Sequence, residues 1–175
     1  MSATAQTGYF FMPEHIILVG ASERPHSLGE RIFSHLLGSS YQGKITPVNL
    51  RHSSVAGIPS YSSLSKIPGQ ADLVVAVIPP DHYDSLFKAC RKKNLRHIIL
   101  IQDWENLPPE SCKNTRSIIQ KYHGDELNIT VCNSAGSQLP SLNLNIGTQT
   151  DYPAGHIALL TGHSTVSRNI NHLLN

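Results

Sequence analysis

Charge is scarce in this 175-residue chain: Asp, Glu, Lys and Arg together make up 15%, and the 14 basic residues outnumber the 12 acidic ones by only two. A balance so close to neutral lacks the basic surplus on which non-specific nucleic-acid binding depends. Aromatic residues are also few, at 6%, with a single Trp. Only three cysteines occur (Cys90, Cys112 and Cys132), without a Cys-x-x-Cys pair. They read as reduced thiols, and with them the expected location is the cytoplasm. No apolar run approaches the ~20 residues of a membrane span. The first residues, MSATAQTGYFFMPEHI, do not pair a basic start with a long apolar stretch, so no signal peptide is expected. What remains is a hydrophobic content of 39%, enough for one packed domain.

That content is distributed in a regular alternation. Short, nearly continuous apolar runs lie at 16–19, 45–48, 73–78, 98–101 and 129–131. Such runs mark strands buried on both faces of a parallel sheet. Helical stripes lie between them: Leu28, Ile32, Phe33, Leu36 and Leu37; Tyr83, Leu86, Phe87 and Cys90; Thr115, Ile118, Ile119 and Tyr122. Asp81 is positioned to cap the second of these helices, and Pro109 or Ser111 to open the third. A short helix is expected over 62–67. The fold class is therefore α/β, a doubly wound, Rossmann-like parallel sheet.

The organisation expected along the chain is a loose segment over 1–13, the sheet domain over 14–150, and the beginning of a second domain over 151–175. Residues 133–151 are rich in Ser, Asn, Gly and Thr and show no helix period. Beyond Pro153 a strand over 157–160, a turn at Thr161-Gly162-His163-Ser164 and a final helix are expected, resembling the first βα unit of a flavodoxin-like domain.

The first strand ends in Gly20-Ala21-Ser22, and the next helix opens near Ser27-Leu28-Gly29. Gly20 permits a sharp turn, small residues let backbone N–H groups approach an anion, and Gly29 lets the helix start lie close to strand or ligand. The pattern points to a phosphate-bearing ligand. Two features depart from NAD sites: the glycine spacing is longer than G-x-G-x-x-G, and the second strand ends Val48-Asn49-Leu50-Arg51 without the acid that binds a ribose hydroxyl. Asn49 and Arg51 suit a more anionic nucleotide carrying an additional phosphate, a feature NADP would share.

The series VGASERPHSLG (19–29), ITPVNLR (45–51), AGIPSYSSL (56–64), ADLVVAVIPP (71–80) and HIILI (97–101) resembles the CoA-binding domain of NDP-forming acyl-CoA synthetases. That family includes the succinyl-CoA synthetase alpha subunit and the N-terminal part of bacterial protein lysine acetyltransferases. The resemblance spans about residues 13 to 165. It implies a small-molecule CoA thioester as ligand, coenzyme A or acetyl-CoA, with Gly20, Ala21, Ser22, Ser27, Leu28 and Gly29 around its phosphates. It further implies Asn49 and Arg51 at the adenosine and Ile78-Pro79-Pro80 along the pantetheine and adenine. The parent activity would be an acid–thiol ligase or a lysine acetyltransferase. Further domains or a subunit with the ATP-grasp fold would supply its nucleotide chemistry, and this chain alone is expected not to catalyse. An NADP-dependent redox enzyme or sensor, and a free-standing regulatory CoA-binding protein, remain the alternatives.

The resemblance weakens after the fourth and fifth strands. The family's G-P-N-x-x-G is here Cys132-Asn133-Ser134-Ala135-Gly136 with its flanking Val131, and Gln102-Asp103-Trp104-Glu105 stands where Gly-Phe and Glu are common. The ten histidines show no metal-ligand spacing, and no metal is expected. The basic cluster Arg91-Lys92-Lys93 with Arg96 reads as a solvated helix end. Cys132 reads as a buried thiol.

Overall fold

The computed structural model describes residues 12–155, except 125, 150 and 153. The expectations for the segment before residue 12 and for the strand, turn and helix after residue 155 lie outside the described residues.

Five parallel strands form the central sheet: β1 His15–Val19, β2 Lys44–Val48, β5 Leu73–Ala76, β6 His97–Ile101 and β7 Asn128–Cys132. Their order is β2-β1-β5-β6-β7. The chain moves outward from β1 to β2, then returns to add β5 on the other side of β1. The order therefore reverses between β1 and β5, and at such a point the carboxyl ends of an open sheet leave a crevice. Helix α1 (Leu28–Gly38) follows β1, α2 (Tyr83–Lys93) follows β5, and α3 (Pro109–Tyr122) follows β6. A small antiparallel pair, β3 (Ser54–Val55) with β4 (Ile58–Pro59), lies between β2 and β5.

Side chains alternate along each strand, so the sheet separates two apolar layers. Ile17, Val74, Ala76, Ile98 and Leu100 face one way, against Tyr83, Leu86, Phe87 and Cys90 of α2 and Tyr122 of α3. Ile16, Leu18, Val75, Ile99 and Ile101 face the other way, against Ile32, Phe33 and Leu36 of α1. Each fully buried aliphatic side chain contributes about 1.5–3 kcal/mol relative to exposure. Helices α2 and α3 are also joined through Asp84, which accepts hydrogen bonds from Lys88, the Tyr122 hydroxyl (2.8 Å) and Lys121. The bonds from Lys88 and then Tyr122 hold its carboxyl well below the usual carboxylate range.

Three local expectations are corrected, and one left open between two residues is decided. The third sheet strand stops at Ala76 rather than residue 78, because its ladder with β1 ends where Val19 accepts the Val77 N–H. Asp81 does not cap α2. It lies in a 3₁₀ turn, Pro80–His82, and the helix begins only at Tyr83, behind His82, which makes no side-chain cap bond. The expected helix over 62–67 is one 3₁₀ turn, Leu64–Lys66, held by burial of Leu64 and Ile67. Of the two candidates to open α3, Pro109 occupies the first helical position and Ser111 lies inside the helix.

The fourth difference is larger. The polar stretch after β7 forms a hairpin, β8 (Ser137–Leu139) with β9 (Leu144–Ile146), joined by a 3₁₀ turn. Leu144 and Ile146 are buried with Ile16, Leu18, Phe33 and Ile99, so this hairpin shares with α1 the task of covering one sheet face. Replacing Leu144 with Ala should accordingly cost about 2–5 kcal/mol in urea unfolding, the range for a truncated core aliphatic. A surface-loop residue would shift the midpoint hardly at all.

Candidate ligand crevice at the carboxyl edge of the sheet

The sharp turn leaving β1 sets the geometry of this edge. Gly20 has φ +92°, and a Cβ there would stand 2.2 Å from the Val77 carbonyl oxygen at the end of β5. A Cβ on Gly29 would stand 2.1 Å from the Gly20 carbonyl oxygen. Two glycines therefore let the end of β1 slide between the end of β5 and the start of α1, with backbone against backbone. No other residue fits either place without moving main chain.

The loop between them is held by short bonds. Ser22 Oγ accepts the Arg24 N–H at 3.0 Å, and the Arg24 carbonyl accepts the Ser27 N–H at 3.1 Å. His26 has φ +64°. Ser27 is the N-cap of α1: its Oγ accepts the Glu30 N–H at 3.2 Å, and its carbonyl accepts the Arg31 N–H. Four N–H groups open a helix without an internal acceptor. Of the first-turn groups, those of Leu28 and Gly29 keep no acceptor among the described residues, and the helix dipole adds partial positive charge there.

A crevice of about 460 Å³ lies in front of this helix start. Gly20, Ser22, Ser27, Leu28 and Gly29 form one wall, and Ile78-Pro79-Pro80 with Val77 form another. Arg24, Gln102, Asp103 and Leu107 also line it. Eight of the eleven residues singled out in the sequence thus meet at one place. Ala21 does not line it: the side chain is buried in the core, and its carbonyl accepts a bond from the Asn49 amide at 2.8 Å. Asn49 and Arg51 line a second crevice of about 350 Å³ at the end of β2.

The Asn49 side chain links the two crevices. Its Nδ2 donates to Ala21 in the β1 loop, while its Oδ1 accepts the N–H groups of Arg51 (2.8 Å) and His52 (3.0 Å). The Asn49 N–H itself donates to the Tyr61 carbonyl. Both polar atoms of the side chain are engaged: the amide nitrogen ties the β1 loop, and the oxygen holds the turn of the loop after β2. Glu23 makes a further tie, accepting the Ala56 N–H from the β3–β4 turn.

Gln102 and Asp103 belong to the stretch that departs from the family's usual residues after the fourth strand, and Leu107 has no motif. The signal available for them is place alone, since the end of β6 must border the same edge as the ends of β1 and β5. Trp104 steadies this wall by donating its Nε1–H to the Cys132 carbonyl at 2.8 Å. Cys132 is half-buried, and burial pushes its thiol up, away from the thiolate a nucleophile needs. His15 and His97 stand at the opposite, amino-terminal edge. His15 donates to the Gln70 carbonyl and meets Thr46 Oγ1, both at 2.8 Å. Of the basic cluster, Arg91 pairs with Glu126 and Lys93 donates to the Ile67 carbonyl. Among the described residues no three His, Cys, Asp or Glu side chains converge as a metal site, and no helix is long and apolar enough to cross a membrane.

Replacing Asn49 with Ala would free the Ala21 carbonyl and two N–H groups at once. Leaving such groups unsatisfied costs about 1–3 kcal/mol where they are out of water. The expected outcome is a lower urea midpoint together with faster hydrogen exchange at Arg51 and His52.

Comparison with known proteins agrees with this geometry. The alpha subunit of ADP-forming acetate–CoA ligase II from Pyrococcus furiosus is 29% identical over 164 residues, covering 93% of this chain and 35% of that subunit. The alpha subunit of the same organism's ligase I is 26% identical over 157 residues, covering 86% and 34%. The chain thus spans about a third of the length of these relatives. A crystal structure of a Pyrococcus horikoshii protein superposes with a TM-score of 0.78 at 26% identity, over 94% of this chain and 38% of that one. The dinucleotide-forming acetyl-coenzyme A synthetase 1 of Ca. Korarchaeum cryptofilum, solved with phosphate and ADP, shares the fold, with a TM-score of 0.79 at 22% identity over 95% and 36%. A glycine-built turn at the switch point of a 2-1-3-4-5-type sheet, and a match of residues 14–133 to the CoA binding domain pattern, lead to one conclusion: the chain belongs to the CoA-binding domain family, homologous to the N-terminal region of ADP-forming acyl-CoA synthetases.

Proposed function

We propose that the chain binds CoA or acetyl-CoA with its diphosphate against the 20–29 turn, as the N-terminal domain of an NDP-forming acyl-CoA synthetase. The observation that carries this reading is the pair of unclaimed N–H groups at Leu28 and Gly29, brought to the crevice by the Gly20–Gly29 contact. Main-chain N–H groups at a helix start match a diphosphate in charge and direction. The Ile78-Pro79-Pro80 wall offers a stiff apolar surface along which the pantetheine or adenine lies. Asn49 acts by holding the β1 and β2 loops in register, and Arg51 faces the adenosine side. The ligase names of the relatives favour a synthetase parent, in which a further domain or subunit, of the ATP-grasp kind, brings the nucleoside triphosphate. The binding domain extends to about residue 150, since the β8–β9 hairpin covers its sheet, and residues 151–175 begin the next unit.

A ligand that binds only the native state stabilises it by about 2.7 kcal/mol at one hundred times its dissociation constant. Thermal melts with CoA, acetyl-CoA, NAD and NADP should therefore show an upward shift with both CoA species and a smaller one, or none, with the dinucleotides. Shifts with NADP alone would transfer the site to redox chemistry.

Phosphoryl transfer needs a held Mg²⁺–triphosphate and charge stabilisation around the moving group. The sequence carries no G-x₄-G-K-[ST] loop, and among the described residues no three His, Cys, Asp or Glu side chains group to hold a metal ion. Incubation with γ-labelled ATP and Mg²⁺ should leave the chain unlabelled, and acetate, ATP and CoA should give no acetyl-CoA. Acid-labile label lost in His163→Ala would reveal a phosphoryl carrier instead.

A further inference from the structure

The second crevice, at the end of β2, is lined by three groups able to carry positive charge. Arg51 and His52 come from the loop after β2, and Lys66 comes from the 3₁₀ turn after β4. All three are exposed, and among the described residues none of them forms an ion pair with a carboxylate. Lys66 Nζ donates to Ser62 Oγ at 2.8 Å, which leaves its charge unneutralised. Ser60, on the same wall, has a buried hydroxyl with no hydrogen-bond partner. A cationic crevice with an idle hydroxyl has the chemistry of a phosphomonoester site.

Its position selects the phosphate. In sheets of this kind the ribose of a bound nucleotide lies over the end of the second strand, where an acid reads a free hydroxyl or a cation accommodates a ribose phosphate. Here the Asn49 N–H donates to the Tyr61 carbonyl, and the Tyr61 N–H donates to the Pro47 carbonyl. These bonds run the 60–66 segment alongside β2 and bring Lys66 to the same crevice as Arg51. The segment is too far along the sequence to belong to the β2 loop, yet it completes the loop's charge.

We infer that Lys66, with Arg51 and the Ser60 hydroxyl, forms a pocket for the ribose 3′-phosphate of CoA, and that Lys66 is a specificity-determining residue for CoA over dephospho-CoA. The inference rests on the reading of the 20–29 turn as the CoA diphosphate site. It assigns to the second crevice the one group by which CoA differs from its dephosphorylated form.

Titration calorimetry of the full chain with CoA, 3′-dephospho-CoA and NADP tests it, using wild type, Lys66→Ala and Lys66→Arg. Wild type should prefer CoA to dephospho-CoA by roughly tenfold or more, equivalent to about 1.4 kcal/mol. Lys66→Ala should lose most of that preference by weakening CoA alone, and Lys66→Arg should restore it. Lys66 is exposed, so the melting temperatures of the free variants should match wild type. Equal weakening of both CoA forms, or of neither, overturns the role of Lys66. Wild type that binds both forms equally removes the 3′-phosphate pocket while leaving the diphosphate site in place. Wild type that binds neither form overturns the diphosphate site and this inference together. Tighter binding of NADP than of CoA overturns the choice of a 3′- over a 2′-phosphate.

Discussion

Backbone-to-backbone contact at the ends of β1 and β5 is the constraint from which the ligand edge follows. Because Gly20 lies against the Val77 carbonyl and Gly29 against the Gly20 carbonyl, α1 begins directly over the switch point of the sheet. A side chain at either position would push the helix outward and carry the Leu28 and Gly29 N–H groups away from the crevice. The same contact seats Ile32, Phe33 and Leu36 against the sheet, so the helix that presents the N–H groups is anchored by its own apolar stripe. Packing and binding share one geometry here, and neither is adjustable without the other.

Asn49 extends that geometry sideways. A dinucleotide fold of the NAD type places a carboxylate at this point to touch the ligand. Here an amide occupies the place, and its atoms are spent on the protein: one loop through its donor, the other through its acceptor. An amide that is both donor and acceptor can bridge a carbonyl to N–H groups, which a carboxylate cannot. An amide in place of the acid thus brings no charge to this edge and braces the loop after β1 against the loop after β2.

The sheet was legible because parallel strands buried on both faces leave unbroken apolar runs, and β1 and β6 match theirs within a residue. The third run overreached because Val77 and Ile78 are as apolar as the strand before them. Nothing in their composition shows that the chain must already be turning there to form the crevice wall. The hairpin was obscured by its composition. Leu142, Leu144 and Ile146 alternate with Asn143 and Asn145, a strand period, but in a stretch otherwise dense in Ser, Gly and Gln. In the site, the 20–29 turn was legible because glycine and small residues have a conformational meaning in sequence. Lys66 and Gln102 were not, because an unpaired lysine and a lone glutamine acquire meaning only from neighbours that are distant along the chain.

The hairpin also bears on how the molecule is made. On the face opposite α2 and α3, the side chains of Ile16, Leu18, Val75, Ile99 and Ile101 are covered jointly by residues from 28–38 and from 144–146. During synthesis from the N-terminus, the first part of that cover is available early, whereas the second emerges after every strand of the sheet has been completed. Until then the nascent domain carries a greasy, half-roofed surface on the ribosome, the kind of surface that chaperones hold and that aggregates when they do not. The β8–β9 hairpin therefore acts as the latch that ends this exposed interval.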